Sequence, residues 1–180
     1  VKNLAMACQA AKMCGIKDKF IFQSLKKIKD VNGRLELVKK FKNNIKVFID
    51  YAHTPDALLQ TLKYLKQDFG DNITLVFGCG GERDIKKRPL MAKIANTNCK
   101  KIYITDDNPR SESPLKIRIQ LLKYISKNKV FNIGKRELAI KKAIQNAEPG
   151  EIILVAGKGH EDKQIYKNKF IYILFIIFIK

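Results

Sequence analysis

The chain is poor in histidine and arginine, has no paired cysteine spacing, and contains no phosphate-wrapping loop. Its only two histidines, His53 and His160, accompany four cysteines, Cys8, Cys14, Cys79 and Cys99. No C-x-x-C pair and no Cys/His spacing suits a metal, so the thiols are expected to be reduced and mostly buried, in a cytoplasmic protein. G-x-x-x-x-G-K-[ST] occurs nowhere, and without it the chain is not expected to wrap the β- and γ-phosphates of a nucleotide by itself. No signal peptide opens the sequence: it starts at Val1 without a Met, inside a helical pattern, which reads as a fragment. The long apolar run at the end, Phe170 to Ile179, is about half of what a membrane span needs. It reads as a frame-shifted or truncated end and an aggregation hazard, with a membrane-surface anchor as the less supported alternative.

Six arginines stand against 30 lysines, in a chain with a formal charge of +19. Such a charge raises a nucleic-acid partner. However, the lysines are scattered, whereas base and phosphate readers favour clustered Arg, so a lysine-biased proteome is the preferred explanation.

What is present is enough chain, 180 residues at 46% hydrophobic, for one well-cored domain and part of another. Residues 3–14 and 18–28 read as helices without a complete core of their own, so residues 1–32 are expected to pack against something absent from the chain. After a linker around Gly33-Arg34 the pattern changes to strands alternating with helices. Strands are expected at Leu35–Val38, Ile45–Asp50, Ile73–Phe77, Lys101–Thr105, Lys129–Ile133 (an edge) and Glu151–Ala156. Between them lie helices at about 56–67, with Thr54 as N-cap and Pro55 in the first turn, from about Arg88, and at 114–126 and 136–146. This order predicts an α/β fold, a Rossmann-like, mostly parallel sheet flanked by helices, over residues 33–169.

Four strands end in polar clusters: Asp50 to His53, Gly78 to Asp84, Asp106 to Arg110 and Gly157 to Glu161. One such cluster, Asp106-Asp107-Asn108-Pro109-Arg110, is as consistent with a turn as with a site. Four at the carboxyl edge of one parallel sheet are expected to form a site. Gly78-Cys79-Gly80-Gly81 follows a strand and precedes a helix, as phosphate-binding turns do, but fits neither glycine fingerprint.

Together these motifs, with Lys87-Arg88-Pro89-Leu90-Met91, resemble the carboxy-terminal part of the Mur ligases, and most closely the branch that adds meso-diaminopimelate to UDP-N-acetylmuramoyl-L-alanyl-D-glutamate. The resemblance covers about Asn3 to Tyr166. It implies part of an ATP-dependent, Mg2+-requiring amide-bond ligase of peptidoglycan synthesis, in which an acyl phosphate is attacked by the amino acid's amine. It further implies that Arg34, Asp50 and His53 face the nucleotide, and that Arg83, Asp107, Asn108, Pro109, Arg110, Gly157 and Glu161 form the diaminopimelate pocket. ATP, Mg2+ and the UDP-N-acetylmuramoyl-dipeptide would be held mainly by domains this chain lacks, residues 1–32 being the last helices of the ATP-binding one. No nucleic acid is implied, and no catalytic or metal-ligating residue is assigned here. Lys163 departs from the family, which usually has an aromatic there, and residues 170–180 replace an expected polar segment. Two rival readings remain: an inactive decayed fragment, and a basic α/β module that binds nucleic acid with steep salt dependence.

Overall fold

The computed structural model describes residues 2–29, 31–167 and 169–172. It comprises two units, Val1–Val31 and Asn32–Lys180. The first holds α1 (Lys2–Met13) and α2 (Asp18–Leu25). Its second helix buries no residue, and Phe20 and Phe22 stand exposed, so the pair makes no core of its own.

The second unit has six sheet strands, β1 (Glu36–Lys40), β2 (Lys46–Asp50), β3 (Ile73–Phe77), β4 (Lys101–Ile104), β5 (Val130–Asn132) and β6 (Ile152–Ala156). The largely apolar β3 and β6 are buried along their whole length, as strands covered on both faces are, whereas β1 and β5 bury no residue fully. They form one sheet in the order β1-β2-β6-β3-β4-β5, parallel throughout except for β1, which runs antiparallel at the edge. Between them run α3 (Pro55–Phe69), α4 (Lys87–Asn98), α5 (Pro114–Leu122) and α6 (Arg136–Gln145).

Side-chain alternation along the strands divides the core into two. Phe48, Leu75, Phe77, Ile102, Ile104 and Leu154 pack with Leu58, Leu62, Met91, Ala95, Ile117 and Leu121 from α3, α4 and α5. Val47, Ile49, Val76, Tyr103, Ile153 and Val155 pack with Ala139, Ile140 and Ala143 of α6. Fully burying a Leu such as Leu62 contributes about 1.5–3 kcal/mol, so this three-layer arrangement fixes the strand ends firmly.

Thr54 caps α3, its Oγ1 accepting the Ala57 N–H at 3.3 Å, and Pro55 opens the helix. The differences from the sequence reading lie at element ends. The first strand continues to Lys40, because Lys39 and Lys40 pair with β2 beyond a bulge. The turn that follows is short, closed by Phe41 N–H on the Ile45 carbonyl at 2.9 Å. Helices α2 and α5 stop at Leu25 and Leu122, short of Ile28 and Ser126.

The sequence reading had no counterpart for a hairpin of β7 (Lys163–Tyr166) and β8 (Lys169–Tyr172). Phe170, Ile171 and Tyr172, read as the start of the apolar tail, are paired strand residues here. The rest of that tail, residues 173–180, lies outside the described residues. Among the described residues no helix is long and apolar enough to cross a membrane.

Candidate functional site

Strands β2, β6, β3 and β4 are adjacent and parallel, so their carboxyl ends share one edge. Backbone contacts that only glycine permits lock the turns there together. A Cβ on Gly78 would lie 2.2 Å from the Thr105 carbonyl oxygen, and one on Gly81 2.0 Å from that of Pro109. The Gly81 N–H donates to the Asn108 carbonyl at 2.9 Å. On the other side, the Gly157 and Gly159 N–H groups both donate to the Asp50 carbonyl, at 3.0 and 3.2 Å. The preceding loop is equally close: a Cβ on Gly33, whose φ is +69°, would lie 2.3 Å from the His160 nitrogen.

The turns enclose a cleft of about 560 Å³. Arg83, Lys87 and Arg110 bring cations to its wall, and Asp84, Asp107 and Glu161 bring carboxylates. Arg110 has φ +52°, a conformation that costs a non-glycine residue about 1–3 kcal/mol. It is held on both sides: its N–H donates to the Ile165 carbonyl at 3.0 Å, and its carbonyl accepts the Lys167 N–H at 2.7 Å. The hairpin therefore sets the backbone from which the Arg110 side chain departs. That guanidinium donates from Nη1 to the Gly81 carbonyl at 2.7 Å and the Asn108 carbonyl at 3.3 Å.

The Asp106–Arg110 loop is anchored from below. The Gln164 amide donates to the Asp106 and Asp107 carbonyls, each at 2.8 Å, and the buried Arg136 guanidinium ties the loop to the end of β6, donating to the Asp106 carbonyl at 3.4 Å and the Ala156 carbonyl at 2.7 Å. Asp106 turns away from the cleft to accept from Arg118 and, at 2.9 Å, from the Tyr166 hydroxyl. Burial, followed by the Asp106 charge, pushes the Tyr166 phenol well above the usual tyrosine range. Beneath the glycine turn, Arg88 is fully buried and pairs two-on-two with Glu112, both distances 2.9 Å, while donating to the Gly80 carbonyl at 2.9 Å. That pairing holds the Glu112 carboxyl below its ordinary range.

Glu161 accepts from two sides, the Tyr51 hydroxyl at 3.2 Å on Oε1 and Lys158 Nζ at 3.0 Å on Oε2. The Glu161 charge is the main reason that the Tyr51 phenol is raised above its usual value. Tyr51 carries the Arg34 guanidinium 4.2 Å above its ring and meets His53 edge-on at 4.7 Å. Cys79 lines the cleft, but burial pushes its thiol up to about 12, so it stays protonated and is a poor nucleophile.

Of the residues singled out from sequence, the structure brings His53, Arg83, Asp107, Asn108, Arg110, Gly157 and Glu161 to this cleft. Arg34 is placed against Tyr51 and is exposed. Pro109 is buried behind the wall, its carbonyl accepting the Glu112 N–H at 3.0 Å. Asp50, 9% exposed, spends its carboxylate on the chain itself: the Leu35 N–H at 2.7 Å, the Ala52 N–H at 2.8 Å and the Thr61 hydroxyl at 3.3 Å. Tyr51, Asp84 and Lys87 line the cleft as well, although the sequence had marked them only as parts of motifs. Lys87 reaches it from the first turn of α4, donating to the His53 carbonyl at 2.8 Å.

Residues 33–159 match the family model for the Mur ligase, glutamate ligase domain. Among curated proteins, the UDP-N-acetylmuramoyl-L-alanyl-D-glutamate--2,6-diaminopimelate ligase of Rickettsia montanensis is 43% identical over 169 residues, 93% of this chain and 34% of that protein. The ligase of the same name from Lactiplantibacillus plantarum is 42% identical over 165 residues, 92% of this chain and 33% of its own length. A solved structure of such a ligase superposes with a TM-score of 0.75 at 34% identity, covering 98% of this chain and 36% of that one. The folylpolyglutamate synthase of Thermotoga maritima shares the fold, with a TM-score of 0.61 at 24% identity over 87% of this chain and 35% of its own. The chain thus spans about a third of the length of the curated relatives it matches.

Proposed function

The chain belongs to the Mur ligase family, and on that premise we propose that it is the amino-acid-binding, carboxy-terminal part of a cytoplasmic, ATP-dependent ligase that joins meso-diaminopimelate to UDP-N-acetylmuramoyl-L-alanyl-D-glutamate. The observation that carries this reading is the charge pattern of the cleft, with Arg83, Lys87 and Arg110 interleaved with Asp84, Asp107 and Glu161. Diaminopimelate is a double zwitterion, so its site needs cations and anions at both ends. A nucleic-acid surface would instead present one sign.

In this reading Arg110 and Arg83 hold carboxylates through charge-assisted, bidentate bonds. Among the described residues only Nη1 of Arg110 is engaged by the protein, which leaves donors for a ligand. Glu161, Asp107 and the Gly157 carbonyl take an ammonium. Arg34 and His53, grouped around Tyr51, face the nucleotide. Asp50 serves that face by holding the backbone on either side of it, since its own carboxylate is already engaged.

The remainder of the enzyme supplies the P-loop and the nucleotide-peptide site, and α1 and α2 are the end of that preceding domain. Mg2+ belongs there as well. Among the described residues no group of three His, Cys, Asp or Glu side chains is placed to ligate a metal, so those residues offer no Mg2+ site built from protein side chains alone. ATP activates the acceptor carboxylate as an acyl phosphate, and the task of this chain is to present the amine to it in a fixed orientation.

Calorimetric titration of the 180-residue chain with meso-diaminopimelate tests the reading. Saturable binding weakened at least tenfold by Arg110→Ala is expected, and no saturable binding would overturn it.

A further inference from the structure

Lys158 has no assigned part in the cleft, yet its ammonium is the point where three segments of the site meet. The residue is 5% exposed. An ammonium carries three donors and no acceptor, and all three are spent inside the protein: on Asn108 Oδ1 at 2.5 Å, on the Lys163 carbonyl at 2.7 Å and on Glu161 Oε2 at 3.0 Å. The Asp107 carboxylate lies 4.0 Å away. No donor is left for a substrate, so Lys158 is not a ligand-binding group in its own right.

Its partners, however, line the cleft from opposite sides, Asn108 from the turn after β4 and Glu161 from the turn after β6. Asn108 Oδ1 also accepts the Ile165 N–H at 3.0 Å, which ties the same ammonium to the hairpin that seats Arg110. A buried, unpaired lysine would be strongly disfavoured. The complete set of partners makes this one a fixed strut.

We propose that Lys158 is a positioning residue for amino-acid recognition: its buried ammonium fixes the spacing and direction of Asn108 and Glu161, and with them the geometry that grips the incoming ammonium. The ligand in this statement rests on the diaminopimelate reading above. The strut itself does not.

The test therefore has two arms. The first needs no ligand. In Lys158→Met, which keeps the length and apolar body of the side chain, amide hydrogen exchange at Ile165 should quicken at least tenfold, while core amides of β3 such as Val76 keep their rates. Unchanged Ile165 exchange would overturn the proposal, as would a uniform rise across the core. The second arm is a double-mutant cycle on meso-diaminopimelate binding. Lys158→Met and Glu161→Gln should each weaken binding on the order of tenfold, and the double variant should be no weaker than Glu161→Gln alone. Additive losses would overturn the positioning role. If the unsubstituted chain binds no diaminopimelate, the functional reading fails and the exchange arm still decides for or against the strut. Where Lys158→Met does not fold, Lys158→Arg takes its place. Its planar fork keeps the charge but cannot meet three converging acceptors, so the same local exchange and weakened binding are expected, and wild-type behaviour in both would overturn the proposal.

Discussion

The Tyr51 hydroxyl donates to Glu161 Oε1 across 3.2 Å, joining the turn after β2 to the turn after β6. The contact connects the Arg34–Tyr51–His53 group to the carboxylate proposed to take the amino acid's ammonium. Tyr51→Phe removes one hydrogen bond to a charged acceptor that keeps Lys158 on its other oxygen. A loss of about 1.5 kcal/mol, at the low end for such bonds, is expected. Urea denaturation checks it, with the midpoint lowered and the slope unchanged.

Alkaline pH should loosen the site through Tyr166. Its folded-state pKa is raised, by burial first and the Asp106 charge second, so the folded state retains a proton that the unfolded state gives up near pH ~10. The stability this contributes is fully present below that value and is lost as pH rises above it. Melting temperatures of the unsubstituted chain should therefore fall more steeply from pH 9 to 11 than those of Tyr166→Phe. Parallel curves for the two proteins would count against the Tyr166–Asp106 contact.

Acid should act through Glu112, whose carboxyl is lowered chiefly by its hydrogen bonds to Arg88. A lowered folded pKa stabilises above the unfolded carboxyl value of about 4.3 and ceases to do so as pH falls through the folded one. Arg88→Met should cost about 3 kcal/mol at neutral pH, the low end for removing one partner of a buried pair because Glu112 remains 29% exposed. Its acid limb should be correspondingly flatter, as read from chemical denaturation at pH 3 to 7.

Much of this fold was legible in the chain, for identifiable reasons. Ile152–Ala156 is an uninterrupted apolar run and Ile73–Phe77 is broken only by Thr74, both buried throughout, and Thr54-Pro55 is a helix start that depends on nothing distant. The hairpin was not legible, because Lys163–Tyr166 alternates too briefly and is pinned by remote groups, Asn108 Oδ1 and the Arg110 backbone. In the site, the gathering of four turns could be read from strand ends, but the direction of each side chain could not. Asp50 looks like a ligand in sequence and spends its carboxylate on Leu35 and Ala52. Lys158 stands between two glycines with nothing local to mark it and is buried. Both outcomes follow from hydrogen-bond partners far away in the chain, which spacing does not encode.

The central claim, that this cleft is built for an amino acid with two carboxylates, is tested most directly by substrate discrimination. The chain would be joined to the preceding two thirds of the Rickettsia montanensis ligase, and kcat/KM measured with meso-diaminopimelate and with L-lysine, which lacks the second carboxylate. An unpaired guanidinium in a closed site costs on the order of 2–5 kcal/mol, and part of that is screened where the cleft stays open to water. Diaminopimelate should therefore be preferred by roughly 30-fold or more, about 2 kcal/mol. Arg110→Ala should collapse the ratio mainly by lowering turnover of diaminopimelate. Equal use of both amino acids by the unsubstituted protein would contradict the account.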